Sequence, residues 1–437
     1  MAGKCWPSES ELNEIRETVS DMARVNKEEV QVVVSPYRIC PLGAHIDHQG
    51  GNVAAMTINR GILLGFTPSS SSQVVIRSGQ FKGEVEFRVD EIQKPRQTTM
   101  IKKENGTKDS SELKEQCCWG SYARGAVYAL QSKGNNLSKG IIGYIRGSDD
   151  LDSSGLSSSA AVGVAYLLAL EHANNINMSP IENVEYDRLI ENEYLGLKNG
   201  IMDQSAMLLS SHGCLMSMNC KTKDYKLIHL PKEKQYAESG QPKETKILLA
   251  LSGLKQALTS NPGYNRRVVE CQEAARILLE ASGDYEAEPI LSNVVPEVYE
   301  AHKCKLESNL AKRAEHYFSE NMRVKKGIEA WELGKFKDFG VLIAASGQSS
   351  IQNYECGSEP LIQLYEILLK APGVLGARFS GAGFRGCCIA LVEADLATEA
   401  ASFVRREYLE LQPELASHIR EDTAVLICDS GDCARVI

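Results

Sequence analysis

The run SSSAAVGVAYLLALEHAN, from Ser157 to Asn174, constrains the fold most. Its apolar residues fall on every side of a helical wheel, so the helix has no face to give to water. Other elements must therefore enclose it. Both kinds of element are available. VQVVVSPYRI, from Val30, is short and β-branched and reads as a strand whose end delivers Arg38 into the loop beyond. SESELNEIRETVSDMARV has a Ser cap, early acidic residues and helical spacing, which predicts a surface helix. VVIRSGQFKGEVEFRV reads as two strands around a turn, and YDRLIENEYLGL as a helix. Further on come strand KILLALSGL, helical runs Arg266–Ala281 and Leu306–Leu333, strand CCIALVEA and helix ADLATEAASFVRREYLE. Strands and helices mix without a regular βαβ rhythm, which predicts an α+β fold. With 437 residues the chain exceeds one ordinary core. Two domains are expected, 1–215 and 216–437. The segment TTMIKKENGTKDSSELKEQ is polar and aperiodic and reads as an exposed insertion.

Net charge is −9 with no basic block, which argues against nucleic acid or an anionic membrane surface as the main partner. MAGKCWPSESELNE lacks a secretory pattern, and no apolar run is long enough to span a bilayer. The 13 cysteines are scattered, and the adjacent pairs Cys117-Cys118 and Cys387-Cys388 lack metal-ligand spacing. Reduced thiols in a cytoplasmic protein are the expectation, which empties the sequons at Asn105, Asn136 and Asn177 of meaning.

Four stretches carry chemistry. PYRICPLGAHIDHQGGN, Pro36–Asn52, crowds Arg38, His45, Asp47 and His48 around a lone small residue, Ala44. Such a loop suits a small hydroxylated ligand. GSDDLDSSGLSSSAAVG leads into the enclosed helix. Its small residues, Ser153, Ser154, Gly155, Leu156, Ser157, Ser158 and Ser159, let backbone approach a ligand closely. The helix start adds free N–H groups and a positive dipole end, a natural phosphate cradle. A Ser-rich loop with an ordinary cap explains the same letters equally well. No G-x-x-x-x-G-K-[ST] occurs, so a cradle here needs a cation from elsewhere, which implies Mg²⁺. Ser159 offers a hydroxyl and Glu191 a carboxylate, although a solvated helix-face charge is the simpler reading of Glu191. LKNGIMDQSAMLLSSHG puts Asp203 at the start of an apolar run, as a helix cap or as a general base with Arg38 keeping it ionised.

RFSGAGFRGCCIALVEA contains Gly381, Gly383 and Gly386 as a formal G-x-G-x-x-G. A dinucleotide fingerprint must open a helix after a strand. A β-prone run follows instead, so these glycines are expected to join two strands and to pack near phosphates from the opposite domain.

Together, RICPLGAHIDHQGG, DSSGLSSSAA, NGIMDQ and GARFSGAGFRGC resemble the motifs of the GHMP small-molecule kinases, galactokinase branch. The likeness runs from about Val30 to about Leu391. It implies two domains with ATP and sugar in the cleft between them, and transfer of the γ-phosphoryl group to the anomeric hydroxyl. It makes Asp203 the base or charge-stabiliser, Arg38 its partner, His45 and Asp47 sugar ligands, and Ser159 and Glu191 the Mg²⁺ ligands. Tyr264 in NPGYNRR matches a sugar-contacting tyrosine. Gly381 and Gly383 belong to the third glycine motif, with the serine loop on the nucleotide.

The chain departs from the branch at Cys40, Pro41, Leu151 and Ser153. It also has Ala44 where the branch has a glutamate that binds the C6 hydroxyl, and where the branch has a tyrosine it has His48, which offers a hydrogen-bond donor or a partial positive charge to the ligand. A fixed carboxylate would repel a C6 carboxylate by roughly 4 kcal/mol at about 4 Å and an effective dielectric near 20. Removing it suits a uronic acid, and the likeness is to those members that act on galacturonate. The expectation is an ATP- and Mg²⁺-dependent D-galacturonate 1-kinase. A galactokinase with relaxed C6 recognition, an arabinose or glucuronate kinase, and a silent sugar sensor are the alternatives. The intact Ser159-Ala160 pair favours an enzyme over a sensor.

Overall fold

The computed structural model describes residues 6–95, 118–148, 151, 155–231, 244–254 and 262–437. Strands β1 (Gln31–Leu42), β2 (Asn52–Pro68), β3 (Gln73–Ser78), β4 (Glu84–Arg88), β5 (Ile141–Gly147), β6 (Cys214–Asn219) and β7 (Tyr225–His229) build a first sheet. β8 (Thr245–Leu251), β9 (Val374–Phe379), β10 (Cys387–Glu393) and β11 (Val425–Cys428) build a second, and β12 (Arg435–Val436) returns to pair with β1. The first sheet runs β12-β1-β2-β5-β3-β4, with β6 on β2 and β7 on β6; the second runs β11-β8-β10-β9. All pairs are antiparallel except β3 with β5.

Helix α1 is Glu9–Ala23, α2 Ser121–Ser132, α3 Ser158–Ala173, α4 Pro180–Arg188 and α5 Met202–Leu209. After them come α6 (Pro262–Ala281), α7 (Pro296–His302), α8 (Ser308–Glu332), α9 (Phe336–Gln352), α10 (Glu359–Lys370) and α11 (Ala397–Leu411). The α+β expectation holds. α1 begins with the predicted cap: Glu11 N–H donates to Ser8 Oγ while the Glu11 carboxylate accepts from Ser8 N–H. α3 is the enclosed helix, buried at Ala160, Val164, Tyr166 and Leu170 among other positions. It packs on β1, β2, α2 and α4.

Two readings change. Arg38 does not lie beyond its strand. β1 continues to Leu42, and Arg38 pairs with Thr57 inside it. Register shifts at Pro36–Arg38 and Ile39–Leu42 accommodate the prolines, which cannot donate to a ladder. The helix YDRLIENEYLGL is only partly α. α4 ends at Arg188 and the chain widens to π spacing over Leu189–Tyr194. The polar insertion lies wholly outside the described residues.

Position 215 falls inside β6, which pairs with β2, and β7 extends the same sheet. The hydrophobic core is also shared. Ile39, Leu64 and Tyr166 belong to one cluster with Trp331, Phe336, Phe339 and Ile389. Trp331 Nε1 donates to the Ile228 carbonyl at 3.2 Å, fastening α8 to β7.

Candidate active site

Several elements converge on one cavity of ≈ 630 Å³. Its polar wall includes Arg38 from β1, Ala44, His45 and Asp47 from the loop after β1, and Asp203 from the first turn of α5. Gly155 and Ser157–Ser159, at the start of α3, complete it. Tyr264, on α6, and Gly381 also line the cavity.

Asp203 is the centre of the polar wall. Arg38 Nε donates to its Oδ1 at 2.6 Å, and the Ser157 hydroxyl donates to its Oδ2. Arg38 Nη1 donates to the Gly155 carbonyl at 3.1 Å, and Arg38 N–H to the Leu156 carbonyl at 3.4 Å. Burial works against the Arg38 charge, but Asp203 outweighs it and holds the guanidinium above its ordinary pKa. One arginine thus ties the carboxylate to the loop that opens α3.

That loop is bent by local backbone conformation. Ser157, the N-cap of α3, sits at φ 57 and Gly155 at φ 79. A Cβ on Gly155 would lie 2.6 Å from the Ser380 carbonyl, so only glycine lets the loop reach the β9–β10 connection. Ser380 Oγ donates to the Gly155 carbonyl at 2.8 Å, closing the contact. The G-x-G-x-x-G glycines lie in this connection between antiparallel strands, all at positive φ, so no helix opens here. The expected strand–strand joint is present.

Behind Ser159 lies a buried carboxylate. Ser159 Oγ donates to Glu191 Oε1 at 2.9 Å, and Asn199 Nδ2 donates to Oε2 at 3.1 Å. Glu191 sits in the π-widened turn and is fully buried. Burial, then the Asp203 charge, raises its pKa to about 7. Asp187, one turn earlier, is buried too, and burial with the Glu191 charge raises it well above the carboxylate range. Among the described residues no group of three or more His, Cys, Asp or Glu side chains is placed to hold a metal. A hard cation shared with phosphate oxygens needs less, one or two carboxylates and otherwise oxygen. Ser159 and Glu191 form such an all-oxygen pair, so the residues fit Mg²⁺.

The loop after β1 is held from behind by α8. His316 Nε2 contacts the Ala44 carbonyl at 3.0 Å, and Glu320 Oε1 accepts from Gly43 N–H at 2.7 Å. His45, at φ 66, stacks on Tyr354 with ring centroids 4.3 Å apart. Burial keeps His45 neutral, its pKa well below the usual value. Burial, then the Asp203 charge, raises Asp47 to about 6.

Not every expected residue reaches the cavity. His48 is not part of the wall. Its Nε2 lies 3.1 Å from the Tyr354 hydroxyl and its Nδ1 3.1 Å from Gln49 Nε2, and burial lowers its pKa to about 4. A neutral ring so engaged gives no positive charge to a ligand. Leu156 is buried, contributing its carbonyl to Arg38. Gly383 packs against Cys356 and Phe379. Ser153 and Ser154 lie outside the described residues.

The cavity also has a wall that the motifs do not announce. Phe81 and Trp119 stack with centroids 6.4 Å apart, and Ile62, Ile145 and Leu197 line the same space. Tyr122 and Arg385 line it too. Asn199 and Arg385 stand inside two of the quoted motifs, so the signal was there. Phe81 stands in the turn of the predicted strand pair, which gave no sign of a ligand, and Trp119 and Tyr122 come from segments with no local pattern. The wall can take a flat aromatic group beside the polar side.

The chain matches the model of the GHMP kinases N terminal domain over residues 121–211 and that of the GHMP kinases C terminal over 327–410. It is 65% identical over 433 residues to a galacturonokinase from Arabidopsis thaliana, covering 99% of each chain. A galactokinase from Lactobacillus helveticus is 30% identical over 383 residues, 87% of this chain and 89% of that one. The solved Lactococcus lactis galactokinase complexed with galactose superposes with a TM-score of 0.80 at 27% identity, covering 97% of this chain and 99% of that chain.

Proposed function

The chain belongs to the GHMP kinase family, and from its full-length likeness to one member of that family we infer that it is a galacturonokinase. It transfers the γ-phosphoryl group of ATP to the anomeric hydroxyl of D-galacturonate, giving galacturonate 1-phosphate and ADP. The likeness to a galacturonokinase spans the whole chain at 65% identity, while the galactokinase above reaches 30%. The observation that carries the mechanism is the bond from Arg38 to Asp203 and on to the nucleotide loop at Gly155. It fixes the carboxylate beside the start of α3.

On this reading the new bond joins the anomeric oxygen to the γ-phosphorus. The bond from that phosphorus to the β,γ-bridging oxygen breaks, and ADP leaves with its electron pair. The hydroxyl proton passes to Asp203 and then to solvent. Arg38 gives that carboxylate its counter-charge, and Ser157 orients its second oxygen. The N–H groups at the start of α3 and the small residues before it face the phosphates. Bound through Ser159 and Glu191, Mg²⁺ would neutralise charge on the phosphate oxygens. Positioning and electrostatics do most of the work, as in phosphoryl transfer generally. The aromatic wall at Phe81 and Trp119 suits the base.

His45, Asp47 and Tyr264 face the sugar on this reading. Burial and the Asp47 charge raise the Tyr264 phenol, keeping it a neutral hydrogen-bond donor. Ala44 leaves room and no charge where a C6 carboxylate would meet it. Among the described residues no helix is long and apolar enough to cross a membrane. The described cysteines are unbridged, which supports a cytoplasmic setting. ATP consumption measured with galacturonate, glucuronate, galactose and arabinose tests the reading. Galacturonate should give the highest kcat/KM, and a higher value on galactose would overturn the assignment.

A further inference from the structure

The nucleotide loop has no lysine, and the cavity wall carries the carboxylates Asp47 and Asp203, with Glu191 just behind. Ionised carboxylates there would repel a triphosphate. Among the described residues of the wall, the permanently cationic side chains are Arg38, Lys82 and Arg385. Arg38 is committed to Asp203 and Gly155. Lys82 is exposed, next to Phe81 in the turn before β4. Arg385 is half-buried in the β9–β10 connection, the same connection that clasps the nucleotide loop. Its own carbonyl lies 3.7 Å from where a Cβ on Gly155 would stand.

The surroundings of Arg385 point the same way. It interacts electrostatically with Tyr122, whose hydroxyl bonds Ser159, which in turn donates to Glu191. Arg385, Tyr122 and Ser159 therefore form one row on the wall, leading to the residues that fit the metal. Burial lowers the pKa of Arg385, an unfavourable setting that an anionic ligand would relieve.

We propose that Arg385 is a phosphate ligand of the nucleotide, supplying from the second sheet the cation that the loop before α3 lacks. This rests on the kinase reading above. It makes nucleotide affinity depend on both halves of the chain, because the N–H donors come from α3 and the guanidinium from the β9–β10 connection. A guanidinium suits this place because its planar fork can bond two phosphate oxygens at once.

Steady-state kinetics of the full chain and of Arg385→Gln and Arg385→Lys provide the test, with MgATP and galacturonate varied separately. Loss of a charge-assisted contact should raise KM for MgATP in Arg385→Gln by about ten- to a hundredfold. KM for galacturonate should stay within about twofold, and Arg385→Lys should recover part of the loss by restoring a point charge. An unchanged KM for MgATP, whatever kcat does, overturns the proposal. So does an equal rise in both KM values, which marks a structural role. If Arg385→Gln does not fold, Arg385→Lys decides alone, since loss of the bidentate fork should still raise KM for MgATP selectively. A parent chain that consumes no ATP with galacturonate would instead overturn the kinase reading itself.

Discussion

Asp203 holds its two bonds, to Arg38 and Ser157, through opposite oxygens. Asp203→Asn keeps the shape and removes the proton acceptor. It should cost about 10²–10⁴-fold in kcat while MgATP still binds, and it should lower thermal stability as well, because the buried Arg38 loses its counter-charge. Near-native turnover would remove Asp203 from the chemistry. Ala44 tests specificity at the same scale. Its carbonyl is fixed by His316, so a new side chain there cannot escape by moving the backbone freely. Ala44→Glu should lower kcat/KM for galacturonate by up to about a thousandfold, from roughly 4 kcal/mol of repulsion at about 4 Å. Galactose should be spared. Ala44→Gln has nearly the same volume without the charge, and equal damage from both variants would make crowding the cause. These residues were legible because each sits in a short motif. His48 was not: its letter suggested a charge for the ligand, but Tyr354, contributed from 306 positions away, takes its ring. No local pattern marked Phe81, Trp119 and Tyr122 as neighbours, since their nearness arises only when the sheet and α2 pack.

Helix α8 was read from its spacing as Leu306–Leu333 and forms over Ser308–Glu332. The spacing did not say what its buried face would grip. Glu320 accepts from Gly43 N–H and Ser346 Oγ with one oxygen and from Arg323 with the other, while Asn321 Oδ1 accepts from Asn52 N–H. Burial opposes the Glu320 charge, but Arg323, His316 and Arg378 outweigh it and keep its pKa below the ordinary range. The brace thus fixes both ends of the loop Gly43–Asn52 from the far half of the chain. Glu320→Ala leaves the buried Arg378 without its carboxylate and should cost about 3–5 kcal/mol of stability. Below the melting range it should also raise KM for galacturonate more than KM for MgATP. If the two KM values move together, the brace stabilises the fold without aligning the sugar loop. The π-widened turn at Glu191 was equally invisible, because LIENEY differs from an ordinary helical turn only in how it packs. Helices α9 and α10 were not read at all. α9 mixes Gly340 and Gly347 with serines whose low propensity is overridden by packing against β9.

At the scale of the whole molecule the α+β class followed from strands and helices that mix without a βαβ rhythm, and the enclosure of α3 from its all-round apolar surface. The return of β12 to the first sheet did not follow, since two paired residues leave no periodic trace. Enclosure has an electrostatic consequence as well. Glu171, in the last turn of α3, is 5% exposed. Its Oε2 accepts from Asn183 Nδ2 at 3.0 Å. Burial raises its pKa to about 7, against an ordinary value of 4.5, only partly offset by Asn183. The sign follows from linkage. The folded chain holds the proton more tightly than the unfolded one, so this group's stabilisation is full below about pH 4.5 and is lost as pH rises through about 7. Glu171→Gln keeps an oxygen for Asn183 and removes the ionisation. Its stability relative to the parent should therefore rise by about 2 kcal/mol between pH 5 and pH 8, using about 1.4 kcal/mol per pKa unit. Denaturant unfolding of both chains at each pH measures that difference directly. The amide adds a buried N–H group that needs an acceptor, which shifts the variant's stability equally at both pH values. Only the change with pH is diagnostic, and parallel profiles would mean that Glu171 titrates alike in folded and unfolded chains.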